Sequence, residues 1–184
     1  MSPTWAKLAA LAEMEPPTDG QSRAAVLVPL YEDDEGAVRV VLTKRPDTMP
    51  THAGHLAFPG GRPHPGDRNA VDTALREAEE EVGIPPDYVN VLGFLEPIHT
   101  VEFSLLVVPV VGRIDPVPQL KPSAREVAMV LEPTLERFTD PAAWRSEIWA
   151  GRVVWFSELD GEILWGATAM MMRRLLGLES AYGS

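Results

Sequence analysis

The segment from Asn69 to Val82 constrains this chain more than any other, because its residues suit a helix with one buried face. Asp67 or Asn69 can cap its start, Gly83 suits its end, and Pro85-Pro86 forbids continuation. At about 100° per residue, Val71, Leu75, Ala78 and Val82 fall on one stripe fit to pack against a sheet. Glu77, Glu80 and Glu81 gather on a separate arc of roughly 100°, and Glu79 points away from it toward solvent. Carboxylates crowded on one face repel each other and destabilise the helix. A hard cation relieves that repulsion. Mg²⁺ takes carboxylate oxygens, keeps several waters and is readily shared with phosphate groups. Glu77 and Glu81, four residues apart, can reach one ion, and Arg76 borders the same arc. An acidic helix run is more often a plain solvated face, so the reading turns on what surrounds this one.

Upstream, residues 46–66 carry Pro46, Pro50, Pro59, Pro63 and Pro65 among several glycines, which predicts a long loop. Loops of this length in compact domains are functional or disordered. Leu56-Ala57-Phe58 is a candidate short strand inside it, and Phe58-Pro59-Gly60-Gly61 leads toward the helix. Ala24 to Tyr31 and Ala37 to Thr43 read as antiparallel strands joined by an Asp33–Gly36 turn. Val89 to Leu95, Ser104 to Val111, Glu126 to Leu131 and Val153 to Phe156 are further candidate strands. Helices are expected over residues 3–13 and 166–176. The order mixes antiparallel strands with helices and predicts an α/β fold with a mixed sheet, not a doubly wound parallel one. The 184 residues fit one domain, with residues 1–20 as an N-terminal helical extension and 58–84 as the loop and helix that carry the chemistry.

A net charge of −11 argues against binding nucleic acid or an anionic membrane surface, both polyanions. A phosphorylated small molecule stays open, because a few local cations and a metal ion can hold it. With no cysteine there is no disulfide framework, thiolate zinc site or cysteine nucleophile. No signal pattern and no long apolar run is present, which predicts a cytoplasmic protein. His52, His55, His64 and His99 lack zinc-like spacing. Gly60-Gly61 is not followed by the Gly-Lys-Ser/Thr of a P-loop, and no Gly-x-Ser-x-Gly elbow occurs. Met170-Met171-Met172 reads as core or dimer contact.

The run Arg76-Glu77-Ala78-Glu79-Glu80-Glu81-Val82-Gly83-Ile84, with Gly61 upstream and an acid at Asp67, resembles the signature of the Nudix hydrolase family. Asp67 stands where that family has a glutamate, and one extra residue separates it from Arg76. This spacing resembles the coenzyme A pyrophosphatase branch. So do Leu42-Thr43-x-Arg45, Gly54-x-x-x-Phe58-Pro59-Gly60-Gly61, Glu126-Val127 and Leu164-Trp165-Gly166-Ala167-Thr168-Ala169. Pro46 and Pro50 depart from that branch, and Pro50 replaces an arginine able to bind phosphate in a bidentate manner.

The resemblance implies an α/β/α sandwich and hydrolysis of a nucleoside diphosphate linked to another moiety, foremost coenzyme A. Glu77, Glu80 and Glu81 would ligate Mg²⁺, or Mn²⁺ in its place, joined by the Gly61 carbonyl and more weakly by Asp67. Glu80 is the first candidate for general base and Glu126 the second, with Arg76 orienting the acids. Arg45, Lys44 and Phe58 would contact substrate. A homodimer is expected from the resemblance and from the apolar C-terminal helix. Two other readings stay open: a pyrophosphatase for ADP-ribose or NADH, kept alive by Pro50, and a non-catalytic nucleotide-binding sensor. The second of these fits poorly with three retained acids.

Overall fold

The computed structural model describes residues 3–11, 24–48, 52–100 and 105–178. Its centre is a mixed sheet built around β1 (Ala24–Glu32) and β8 (Leu105–Ile114). These two strands run parallel, with Ala24 opposite Val107 and Leu30 opposite Arg113. β2 (Val38–Val40) and β6 (Val89–Phe94) flank them antiparallel, and two short strands, β5 (Gly60–Gly61) on β1 and β7 (Ile98–Thr100) on β8, complete the sheet.

Side chains alternate across this sheet with the period of two that strands impose. Ala25 and Leu27 of β1 and Val110 and Ile114 of β8 face α2 (Ala70–Val82), packing on its Ala74, Ala78 and Val82. Ala24, Val28, Leu30, Val107 and Val111 face the other way, onto Trp5 and Leu8 of α1 (Pro3–Leu11) and Met171, Met172 and Leu175 of α3 (Gly166–Leu175). The result is the expected α/β/α sandwich. Two smaller antiparallel sheets extend it: β4 (Leu56–Ala57), β3 (Leu42–Lys44) and β9 (Met129–Leu131), and β10 (Arg145–Trp149), β11 (Arg152–Leu159) and β12 (Glu162–Trp165).

Several expected boundaries move. The single strand expected over 37–43 breaks at Val41, because β2 pairs with β1 whereas β3 pairs with β4 and β9. The strand expected from Glu126 starts only at Met129; Glu126 sits in a turn whose N–H donates to the Ser123 carbonyl. Val153 to Phe156 proves to be part of a longer strand at the centre of a three-stranded sheet. Residues 12 and 13 of the expected first helix, its Pro16-Pro17 stop, Pro50 and Ser104 lie outside the described residues.

Helix α2 keeps its expected ends. Asn69 is the cap, accepting from the Asp72 N–H, and Gly83 closes the helix with φ of 72°, its N–H reaching the Glu79 carbonyl. The stripe is shifted by a fraction of a turn, so that Val71 and Leu75 are half-buried at its border while Ala74 and Glu81 are buried.

Gly60 lies so close to β1 that an added Cβ would stand 2.4 Å from the Ala25 carbonyl oxygen and 2.6 Å from the Val26 Cα. Gly60→Ala is expected to lower stability by about 3 kcal/mol, because backbone cannot yield as a side chain does. Gly66→Ala, where a Cβ meets nothing within 4 Å, is expected to change it little. Urea unfolding midpoints at constant slope check both.

Candidate active site

The acidic arc of α2 meets the sheet where β5 crosses it, and Arg76 sits at the junction. Its guanidinium donates to Asp67 at 3.0 Å, to Glu77 at 2.8 Å, to Glu80 at 3.3 Å and to the Arg62 carbonyl at 3.0 Å. Asp67 also accepts from the Thr73 hydroxyl at 2.9 Å and the His64 N–H at 2.8 Å. The Arg76 hydrogen bond holds the Asp67 carboxyl well below the usual carboxylate range. With its oxygens so engaged, Asp67 fastens the loop to the helix; it does not line the cavity described below.

The acids of the helix have different surroundings. Glu79 is exposed, as expected, and the Glu80 side chain keeps 54% of its surface in solvent. Glu81 is buried at 7% and accepts from the Gly60 N–H. Burial pushes its carboxyl up to about 8, helped by the charges of Glu77 and Glu126, with Arg45 and the Gly60 N–H pulling the other way. Gly61 is a glycine for a local reason: a Cβ there would stand 2.6 Å from the Glu77 carboxylate carbon.

Glu126 is forty-five residues beyond Glu81 in sequence (126 less 81) and arrives through backbone contacts. The last carbonyls of α2 have no partner within the helix. Those of Glu81 and Val82 accept from Ser123 and Lys121, each at 2.8 Å, which docks the 121–127 loop on the helix end. The Ala128 N–H then donates to the Lys44 carbonyl at 2.8 Å. Glu126 and Glu81 thereby line one cavity.

That cavity measures about 760 Å³. Arg45, Thr43, Phe58 and Gly60 line it beside the two acids, and most of the remaining wall is apolar. Arg45 and Phe58, two of the three residues expected to contact substrate, are in this lining. Lys44, the third, is not in the lining: alternation along β3 turns it from the cavity, and its ammonium pairs with Glu162 of β12 at 2.7 Å. Glu77, Glu80, Gly61 and Arg76 lie behind the lining, around the Arg76 junction.

The sequence leaves His55 open to a surface role or to substrate contact from its place before Phe58, and passes over His52, Trp149 and Arg152 in the wall. His52 and His55 reach it because the loop closes on itself, with Arg45 donating its N–H to the His55 carbonyl at 3.0 Å and Gly54 to the Arg45 carbonyl at 3.1 Å. Trp149 and Arg152 flank the Ala150-Gly151 hairpin turn, whose φ angles of 48° and 77° suit a two-residue connection. A tryptophan and an arginine on either side of so tight a turn was the available signal.

The donors suit a hard divalent cation: carboxylates from Glu77, Glu80 and Glu81 and the Gly61 carbonyl, with no soft ligand among them. A buried carboxylate that holds its proton to about pH 8 is a group short of positive charge. Among the described residues no three acidic or imidazole groups converge as they stand, since Arg76 engages Glu77 and Glu80. Arg76 takes Oε1 of Glu77 and Oε2 of Glu80, and a carboxylate has a second oxygen with which to ligate an ion.

The Glu81 carboxyl is protonated up to about pH 8 in the metal-free fold and releases its proton near 4.5 when unfolded. The stability this proton confers is fully present below 4.5 and is lost as pH rises through about 8. Melting temperatures of the metal-free protein are expected to fall over that window, and to fall less steeply in Glu81→Gln. An identical slope in both proteins would mean that Glu81 ionises normally.

The NUDIX domain profile matches residues 21–163. Nudix hydrolase 22, chloroplastic, of Arabidopsis thaliana is 40% identical over 162 residues, which cover 83% of this chain and 53% of that protein. The uncharacterized Nudix hydrolase NudL of Yersinia enterocolitica is 38% identical over 156 residues, covering 83% of this chain and 78% of that protein. The chain spans about half the length of its Arabidopsis relatives. Among solved structures, a MutT/nudix family protein from Enterococcus faecalis superposes with a TM-score of 0.60 at 17% identity, over 90% of this chain and 64% of that one. An Ap4A hydrolase from C. elegans superposes at 0.51 with 21% identity, over 62% of this chain and 81% of that one. The likeness to solved structures carries the fold, and the profile and sequence relatives carry the kinship: this chain belongs to the Nudix family.

Proposed function

We propose that the protein is a divalent-metal-dependent pyrophosphohydrolase acting on a nucleoside diphosphate linked to a second moiety. Coenzyme A or a derivative is the foremost substrate, cleaved to 3′,5′-ADP and 4′-phosphopantetheine. The observation that carries the reading is the buried Glu81 carboxyl, set between Glu77 and Glu126 at the edge of a cavity large enough for such a ligand. Glu77, Glu80, Glu81 and the Gly61 carbonyl would hold Mg²⁺ or Mn²⁺. When bound, the ion neutralises anhydride oxygens and makes a coordinated water more acidic.

The protein's own groups do the rest. Arg45, in the cavity wall, binds a phosphate oxygen pair through its planar fork. Arg76 keeps Glu77 and Glu80 together when no cation does so. A water attacks one phosphorus, its proton passes to a carboxylate, and the P–O bond to the bridging oxygen breaks, leaving two products that each end in a phosphate monoester. Positioning and charge stabilisation account for most of the acceleration in such reactions. Glu126 lines the cavity, whereas Glu80 lies outside it and largely in solvent, which supports Glu126 over Glu80 as the base.

A second reading is favoured by Pro46 and Pro50 in the upstream motif, which depart from the coenzyme A pattern. It is a pyrophosphatase for ADP-ribose or a dinucleotide. A structural relative, the NUDIX domain of Shewanella oneidensis NrtR, was solved with ADP ribose.

Chromatography of products from coenzyme A, NADH and ADP-ribose with Mg²⁺ or Mn²⁺ separates these readings. Cleavage of coenzyme A alone is expected, and binding without turnover of any of them would leave a sensor domain. Glu126→Gln is expected to lose about 100-fold or more in kcat while metal affinity by calorimetry stays near that of the parent. Glu81→Gln is expected to lose both. A Glu126→Gln enzyme of normal kcat would return the base to Glu80.

A further inference from the structure

Arg45, Arg152, Glu81 and Glu126 are the charged groups among the described residues that line the cavity, joined by three histidines and three threonines. Much of the rest is hydrocarbon and ring. The Trp149 and Trp165 rings have centroids 5.6 Å apart, and His55 meets Trp165 edge-on at 4.7 Å. Ile98, Leu105 and Met170 continue this surface inward. At the mouth, Trp149 keeps 46% and Val153 42% of their surfaces exposed, on a sheet whose edge strand β10 is exposed throughout. Large apolar side chains left in water around a cavity mark a place where a ligand covers them. Trp165 and Met170 also lie past residue 163, where the NUDIX match ends, so this wall is not supplied by the matched domain alone.

The wall decides what can occupy it. A hydroxyl-rich moiety would bring donors and acceptors against carbon, and each one left without a partner weakens binding by roughly tenfold. A methylene sheltered there strengthens binding by up to roughly fourfold. We infer that the wall formed by Trp149, Trp165 and Met170 receives a hydrocarbon chain carried by the substrate's second moiety, so that the protein selects among nucleoside diphosphate derivatives by aliphatic length. This rests on the hydrolase reading above and narrows it. The Lys44–Glu162 ion pair gives the wall a fixed place, since it ties β12, which ends in Trp165, to the strand that leads into Arg45.

The test uses β-phosphate esters of ADP with methyl, butyl and octyl alcohols, hydrolysed by the intact protein with Mg²⁺ to AMP and the alkyl phosphate. kcat/KM is expected to rise at least tenfold from methyl to octyl. In Trp149→Ala, a change at an exposed position, and in Met170→Ala, the octyl-to-methyl ratio is expected to fall at least threefold. The ratio cancels any loss common to all esters. A wild-type ratio near one overturns the inference, as does a wild-type ratio retained by both variants. An equal loss for every ester in Trp149→Ala also overturns it, because the wall would then be holding the base. If no ester is cleaved, the hydrolase reading fails separately; calorimetric affinities of the same esters then show whether the wall favours the longer chain.

Discussion

The guanidinium of Arg76 is the joint on which the site is assembled. It gathers Asp67 from the loop, Glu77 and Glu80 from its own helix and the Arg62 carbonyl into one cluster. Three acids held this close would repel without it. Their mutual attraction to one cation sets the loop against α2, which leaves Glu81 on the remaining side, facing the Gly60 N–H. The loop's short strand, β5, pairs along Ala25 and Val26 of β1. A charge cluster half in solvent contributes modestly to stability; its larger effect is geometric.

A second consequence follows from the two ends of α2. At its start the cap by Asn69 is local, formed by residues three apart. At its end the free carbonyls are used as sockets for a distant loop. A helix terminus that would otherwise face water therefore recruits Glu126, and an acid from a separate stretch of chain joins the one presented by the helix.

What was legible in the sequence is what depends on neighbours. Helix α2, its cap and its glycine end follow from propensities and steric rules that act within a few residues, and β1 and β8, buried on both faces, show as near-continuous apolar runs. Glu81 shows where such reading stops. The helical wheel groups it with Glu80, yet one is buried and the other exposed, because burial depends on how the sheet lies against the helix. Lys44 shows the same limit, since its partner Glu162 is more than a hundred residues away. The β10–β12 sheet was read only in part because β10 is exposed on both faces and carries no apolar alternation.

The parallel pairing of β1 with β8 bears on how the protein comes into being. Ala24 must wait for Val107, and every contact at the centre of the sheet spans a similar stretch of chain. At about 5–20 residues per second, the ribosome leaves the apolar run of β1 without its neighbour for several seconds. Long-range closures of this kind are slow and leave strand edges open to the wrong partner. β2, joined to β1 by a short turn, is available much earlier and pairs with Leu30, Tyr31 and Glu32 in the meantime. The turn at Asp33–Gly36 thus lets the end of β1 find a partner while its beginning still waits for β8.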